Sequence, residues 1–291
     1  MYLTVKIISC LDFLDNGNFW LLLPLLNPLP MAKIVDKEKF SSHVTKLVVE
    51  APLIAKSRRP GHFVIVRPCE GGERIPLTIA DADTERGTIT LVIQEVGEST
   101  RKICALNPGE ELIDVVGPLG RATHIENVGT VVCCGGGVGV APLLPIIKAM
   151  KQSGNRVISI LAARSADLII LRDEIEPWSD EVIIMTDDGS AGEKGLVTDG
   201  LRKVIEREKV NEVVTIGPAI MMKFVAKLTE EYGIPTVCSL NTIMVDGTGM
   251  CGACRVTVDG KTRFVCVDGP EFDAHKVDFD QMMTRLKAYN S

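Results

Sequence analysis

The sequence predicts a β plus α/β protein: an antiparallel barrel first, then an α/β domain on a parallel sheet, then a small cysteine-rich domain. Three observations predict this order. From Met31 to about Asn127, β-branched segments are separated by turn signals. From about Gly129 to Val237, apolar strands alternate with helical stretches. Beyond that, one aspartate and three cysteines crowd the run from Asp246 to Cys266. At 291 residues and 46% hydrophobic content, the chain has material for two or three separate cores. The expected boundaries are 1–30 for an extension, 31–127 for the barrel, 128–237 for the α/β domain and 238–291 for the cysteine-rich domain.

In residues 1–30, apolar residues are interrupted by Asp12 and Asp15, and the run from Phe19 to Pro30 is too short and too rich in proline to cross a bilayer. Neither a positive leader region nor a small-residue cleavage site is evident. We expect a dispensable extension with Met31 as the working start; an apolar arm docking on a partner subunit is the alternative.

In the barrel, Val44–Glu50, His62–Arg67 and Thr88–Gln94 read as strands, and the Pro-Gly pairs at 60–61 and 108–109 read as turns. Three local features suit a large anionic cofactor at the rim. Arg74, Pro76, Leu77 and Thr78 set an arginine and a hydroxyl around a rigid proline. Gly97, Ser99 and Thr100 offer amides and hydroxyls to a pyrophosphate just before an expected helix. Gly117-Pro118-Leu119-Gly120 is a close-approach turn. Each alone is a weak signal, because an arginine near a turn is ordinarily a solvated surface charge.

In the α/β domain, Thr130–Cys134 is an apolar strand running into Gly135, Gly136, Gly137 and Gly139, with a helix expected over Leu143–Gln152. Bare amides between a strand and a helix N-terminus suit a dinucleotide phosphate. A plain tight turn is the competing reading, since the dinucleotide fingerprint with three spaced glycines is absent. Arg156–Ala162, Glu181–Met185 and Glu212–Ile216 are further buried strands. The turns after the last two, from Thr186 through Asp187 to Ser190 and from Gly217 to Met222, are expected to share one crevice beyond the strand ends.

The cysteine-rich run carries the most specific signal. Cys251, Cys254 and Cys266 have the spacing C-x2-C-x11-C, and Asp246 stands where plant-type iron-sulfur proteins have a further cysteine. The pattern points to a [2Fe-2S] cluster with one carboxylate ligand, wrapped by Gly247, Gly249 and Gly252. A structural zinc site stays open, with His275 nine residues beyond Cys266, as do plain core cysteines.

A net charge of −6 with a pI near 5.4 offers no basic patch, so nucleic-acid binding is excluded as an expected function. Nine cysteines without a secretory leader fit a reducing compartment, and a cytoplasmic protein without a membrane span is expected. Cys133 and Cys134 read as core, and His43, His62, His124 and His275 have no metal-ligand spacing. Cys238 reads as structural, with approach to a cofactor edge as the alternative.

Taken in order, R-x-P-L-T, G-P-L-G, G-G-G-x-G-x-A-P, T-D-D-G-S, G-P-x-x-M-M and the cysteine run resemble the ferredoxin-reductase superfamily over nearly everything after Met31. Within it the chain is similar to electron-transfer subunits of dihydroorotate dehydrogenase B. It is more similar to small subunits of NADH-dependent reduced ferredoxin:NADP oxidoreductase, also described as sulfide dehydrogenase. The aspartate at 246, in D-G-T-G-M-C-G-x-C-R-V, carries that distinction, because the dihydroorotate branch is expected to have cysteine there.

The resemblance implies FAD on Arg74, Pro76, Leu77 and Thr78, with Arg74 on the pyrophosphate, which Gly97, Ser99 and Thr100 would close around. It implies NAD(H) on Gly136, Gly137, Gly139 and the loops at Asp187 and Gly217, and the cluster on Asp246, Cys251, Cys254 and Cys266. It also implies a larger partner subunit carrying FAD and [4Fe-4S] clusters, with ferredoxin reached indirectly through electron bifurcation. No side-chain general acid is expected to be catalytic, since nicotinamide and flavin exchange hydride directly. Asp187 and Asp188 favour NAD over NADP by repelling a 2′-phosphate, whereas Arg164-Ser165 offers a place for one. An electron-transfer subunit for dihydroorotate oxidation and a non-enzymatic redox adaptor are the other functional classes.

Overall fold

The computed structural model describes residues 31–287. The expected extension at 1–30 lies outside the described residues.

Seven strands form the first sheet: β1 (Ala32–Lys39), β2 (Val44–Glu50), β3 (Phe63–Arg67), β4 (Ile75–Asp83), β5 (Thr88–Gln94), β6 (Glu111–Leu112) and β7 (Asp114–Leu119). Their order is β6-β1-β2-β5-β4-β3-β7 with every neighbouring pair antiparallel, a nearly closed barrel. Alternate residues such as Leu47 and Val49, and Val64 and Val66, are buried in its centre with Ile34, Ile79 and Leu91. At the two Pro-Gly turns, Gly61 and Gly109 take φ of +85° and +97°. Two helices accompany the barrel, α1 (Pro52–Ser57) and α2 (Glu98–Ala105).

The second sheet contains β8 (Thr130–Gly136), β9 (Arg156–Ala163), β10 (Glu181–Thr186), β11 (Glu193–Lys194), β12 (Glu212–Ile216) and β13 (Thr236–Ser239), all parallel to one another. Helices α3 (Val140–Gln152), α4 (Arg172–Ile175), α5 (Val197–Arg207) and α6 (Ala219–Glu231) connect them. Burial on both faces explains the continuous apolar runs: Val131, Val157 and Ile147 lie in one layer, and Val132, Ile158, Leu201 and Val225 in the other.

The C-terminal segment adds the hairpin β14 (Arg255–Val258) and β15 (Lys261–Phe264), then α7 (Val265–Asp268), β16 (Glu271–Asp273) and α8 (Phe279–Lys287). Its strand β16 pairs antiparallel with β13 and completes the order β11-β10-β9-β8-β12-β13-β16. Among the described residues it has no core separate from its neighbours. Cys254, Val256, Val265 and Met282 pack in one layer with Phe63 and Ile65 of the barrel and Met222 and Ala226 of α6. A segment this short buries enough apolar surface only by sharing it with its neighbours.

Candidate functional site

The loop between β13 and β14, with Asp246, Cys251 and Cys254, and the helix α7, with Cys266, bring four donors together as two pairs. The Cys251 thiol lies 3.4 Å from Asp246 Oδ1, and the Cys254 and Cys266 sulfurs are 3.3 Å apart. Gly247, Gly249 and Gly252 make the wrap possible at φ of +78°, +86° and +67°. Amides turn inward onto the carboxylate: Thr248 N donates to Oδ1 at 3.1 Å, and Met250 N and Cys251 N to Oδ2 at 3.1 and 3.0 Å. Desolvation works to raise the Asp246 pKa, but the bonds from Thr248 and Cys251 outweigh it and hold the carboxyl at about 2. Burial, together with the contact to Cys254, pushes the Cys266 thiol up to about 12, so that metal binding there releases protons.

Two pairs of terminal donors fit the two irons of a [2Fe-2S] cluster. Tetrahedral zinc requires donors converging on one point, and among the described residues no three His, Cys, Asp or Glu side chains do so.

The second locus lies beyond the carboxyl ends of β8 and β12, where the strand order reverses direction. A Cβ on Gly139 would lie 2.5 Å from the Ile216 carbonyl oxygen and 2.8 Å from Gly217 Cα. One on Gly217 would lie 3.2 Å from Gly136 Cα. The two loops therefore meet backbone to backbone, and Gly137 at φ +55° turns the chain into α3. Bare amides and a positive helix end meet there, which suits a dinucleotide phosphate. Beyond β9 and β10, Asp187 N donates to Ala163 O at 3.1 Å and Asp188 N to Arg164 O at 3.2 Å. Asp188 Oδ1 accepts from the Ser190 hydroxyl and amide at 2.6 and 2.9 Å, bonds that lower its pKa. Both aspartates are exposed along this rim.

The third locus is the barrel edge. Pro76, Leu77 and Thr78 in the first half of β4 are only half-buried, whereas Ile79 and Ala80 behind them are buried. They leave a strip that a flat ligand can cover. At the start of α2, Thr100 Oγ1 accepts from Val96 N and Gly97 N, both at 3.0 Å, while buried Ser99 donates to Glu73 Oε2 at 2.9 Å. A carboxylate thus sits on the donor that a pyrophosphate oxygen would use. Thr242 carries a buried hydroxyl with no partner among the described residues, in the segment leading from β13 to the cluster loop.

Residues 133–227 match the family described as oxidoreductase NAD-binding domain, and residues 241–278 the iron-sulfur cluster binding domain of dihydroorotate dehydrogenase B. The dihydroorotate dehydrogenase B (NAD(+)) electron transfer subunit homolog of Thermotoga maritima is 48% identical over 88% of this chain and 91% of its own. The chain belongs to the dihydroorotate dehydrogenase B electron-transfer subunit family. A solved structure of NADH-dependent reduced ferredoxin-NADP oxidoreductase, described for flavin-based electron bifurcation, is 46% identical to this family member with a TM-score of 0.86. The match covers 89% of this chain and 94% of that one. Phthalate dioxygenase reductase, at 14% identity and a TM-score of 0.55 over 81% of this chain and 93% of its own, shares the fold.

The other residues singled out in the sequence take the following places in this family member. The Gly117–Gly120 turn seats the C-terminal segment: a Cβ on Gly120 would lie 2.9 Å from the Phe63 ring and 3.0 Å from Pro270. Arg74 Nε donates to the Val245 carbonyl and Nη1 to Asp114 Oδ2, both at 3.1 Å. Cys238 lies inside the sheet with its thiol 3.6 Å from the Phe272 carbonyl, and burial drives its pKa, like those of Cys133 and Cys134, well up. His275 Nε2 is 2.9 Å from Thr229 Oγ1, and His62 Nδ1 accepts from Arg59 N at 3.1 Å. The sequence reading missed Glu73 and Thr248. The D-x-T spacing that lets Thr248 bond back to Asp246 is the signal that marks the latter.

Among the described residues no helix is long and apolar enough to cross a membrane.

Proposed function

We propose that this protein is the NAD(H)-linked electron-transfer subunit of an electron-bifurcating NADH-dependent ferredoxin:NADP oxidoreductase. The observation carrying the proposal is the carboxylate at position 246, paired with Cys251 in a site of four donors. The 46% identity to the solved bifurcating reductase supports it.

When bound, FAD supplies hydride exchange with NADH and single-electron exchange with the [2Fe-2S] cluster. The chain's residues arrange the rest. Gly136, Gly137, Gly139 and Gly217 keep side chains out of the nucleotide crevice, and the start of α3 holds phosphate there. Asp187 and Asp188 select NAD(H) by charge. Leu77 and Thr78 form the strip for the flavin ring, and Gly97, Ser99 and Thr100 hold its pyrophosphate, which takes the place of the Glu73 carboxylate on Ser99. Asp246 and Cys251 take one iron, Cys254 and Cys266 the other. Cys251 and the neighbouring Met250 are exposed, as an outlet to a larger flavin and [4Fe-4S] subunit requires.

The test is isolation of the intact complex. We expect acid-released flavin, faster bleaching by NADH than by NADPH, and a partner that reduces ferredoxin with electrons from NADPH only when NAD is also present. A partner that oxidises dihydroorotate would place the chain in the pyrimidine branch, which the Thermotoga relative's name favours. Absence of flavin would leave a redox adaptor.

A further inference from the structure

The guanidinium of Arg74 reaches across to a residue 171 positions away, with Nε donating to the Val245 carbonyl at 3.1 Å. Val245 immediately precedes Asp246. The same guanidinium is fixed by Asp114, whose Oδ2 is 3.1 Å from Arg74 Nη1 and 2.7 Å from Arg67 Nε. On the other side of Asp246, Gly247 lies flat on the barrel, where a Cβ would be 2.6 Å from Leu119 Cδ1 and 2.9 Å from Ile65 Cγ1. The carboxylate ligand is thus gripped from both flanks by the barrel. Meanwhile Glu73, not Arg74, faces Ser99 at the start of α2.

We propose that Arg74 is a positioning residue for the cluster, holding the loop at Asp246 and lending it positive charge, and that it takes no part in binding the FAD pyrophosphate. Two arginines around one aspartate leave a net positive charge beside the loop. That charge favours the more negative, reduced cluster and raises its potential. A carbonyl tied by a fixed guanidinium also holds the ligand's backbone in place, as outer-shell partners do for metal ligands generally.

This inference rests on the ligand assignment above, so the experiment reads that assignment separately. In the full-length protein with its cofactors, Cys254→Ala should lose the cluster and keep FAD. A cluster that persists there overturns the ligand assignment, and the Arg74 inference with it. In Arg74→Gln we expect FAD content and FAD affinity to match wild type, while the electron paramagnetic resonance spectrum of the reduced cluster changes and its midpoint potential falls. Arg74→Lys, which keeps the charge but not the fork, should restore most of the potential and less of the spectrum.

A pyrophosphate ligand would behave oppositely. Losing charge-assisted bonds to a phosphate weakens binding by about tenfold or more, with the cluster signal unmoved, and that result overturns the proposal. If Arg74→Gln does not fold, Asp114→Asn frees the guanidinium without removing it. A shifted cluster spectrum with FAD retained then supports the inference, and an unmoved spectrum overturns it.

Discussion

Replacing Gly139 by alanine should weaken NADH binding through backbone contact alone. The added Cβ would lie 2.5 Å from Ile216 O and 2.8 Å from Gly217 Cα, against an ordinary contact of 3.4–4 Å. Both opposing atoms are backbone and cannot rotate away. The start of α3 must therefore separate from the end of β12 by about 0.6–0.9 Å, the shortfall from the lower contact limit. Overpacking of this kind costs about 1–3 kcal/mol. At about 2–4 °C per kcal/mol for a domain of this size, the melting temperature should fall by about 2–12 °C. The amides proposed to face the nucleotide move with the loops, and a misplacement approaching 1 Å can cost about a hundredfold in a positioned reaction. Anaerobic stopped-flow bleaching of the flavin over a range of NADH concentrations reads both the Kd and the limiting rate. We expect the Kd to rise by at least about tenfold, equivalent to about 1.4 kcal/mol. Gly233→Ala, in the turn after α6, is the internal control: its Cβ meets nothing within 4 Å, leaving only the strain of φ +63°, about 1–2 kcal/mol. A Gly139→Ala protein that melts lower yet binds NADH as wild type would show that these loops do not hold the nucleotide. An unchanged melting temperature would refute the packing argument itself.

Asp246→Cys should retain the cluster and shift its potential, because thiolate is a softer donor than carboxylate, and an unchanged potential in redox titration would remove Asp246 from the ligand set. Asp246→Ala strips the acceptor from the Thr248, Met250 and Cys251 amides and should lose the cluster, as read by iron content. Glu271 should make stability fall as pH rises. Burial chiefly, with a push from Glu212 and against the bond from Thr123, raises its pKa to about 7. A folded-state value above the unfolded one of about 4.3 means the stabilisation is complete below that pH and is lost as pH climbs through about 7, worth about 3–4 kcal/mol. Glu271→Gln, which can still accept from Thr123, should flatten the change in melting temperature between pH 5 and 8, and equal slopes in both proteins would refute this.

What could be read from the sequence depended on whether the relevant physics was local. Strands β8, β9 and β12 are buried on both faces and β10 is half-buried beside them, so their apolar runs name them almost to the residue. The cluster loop was legible because its donors and glycines lie within one short segment. By contrast, β1 reads Ala-Lys-Ile-Val-Asp-Lys-Glu-Lys, and β16 has three residues; neither carries a strand signal, and partner strands decide both. The contacts of Arg74 with Val245 and Asp114, and of Glu73 with Ser99, join positions far apart in sequence. The local motif that holds the neighbours Glu73 and Arg74 shows neither contact, because both partners lie far along the chain.

The pairing of β16 with β13 bears on timing. A redox carrier that swings between donor and acceptor needs a joint. To swing here, the cluster loop would have to break the β13–β16 ladder, the 2.6 Å bond from Thr123 to Glu271 and an apolar layer common to all three regions. The gap between the half-buried strip at 76–78 and the cluster loop is therefore set once, when the chain folds. Electron passage inside this subunit should be indifferent to solvent viscosity. Any gating in the complex then falls to nucleotide arrival or to the neighbouring subunit.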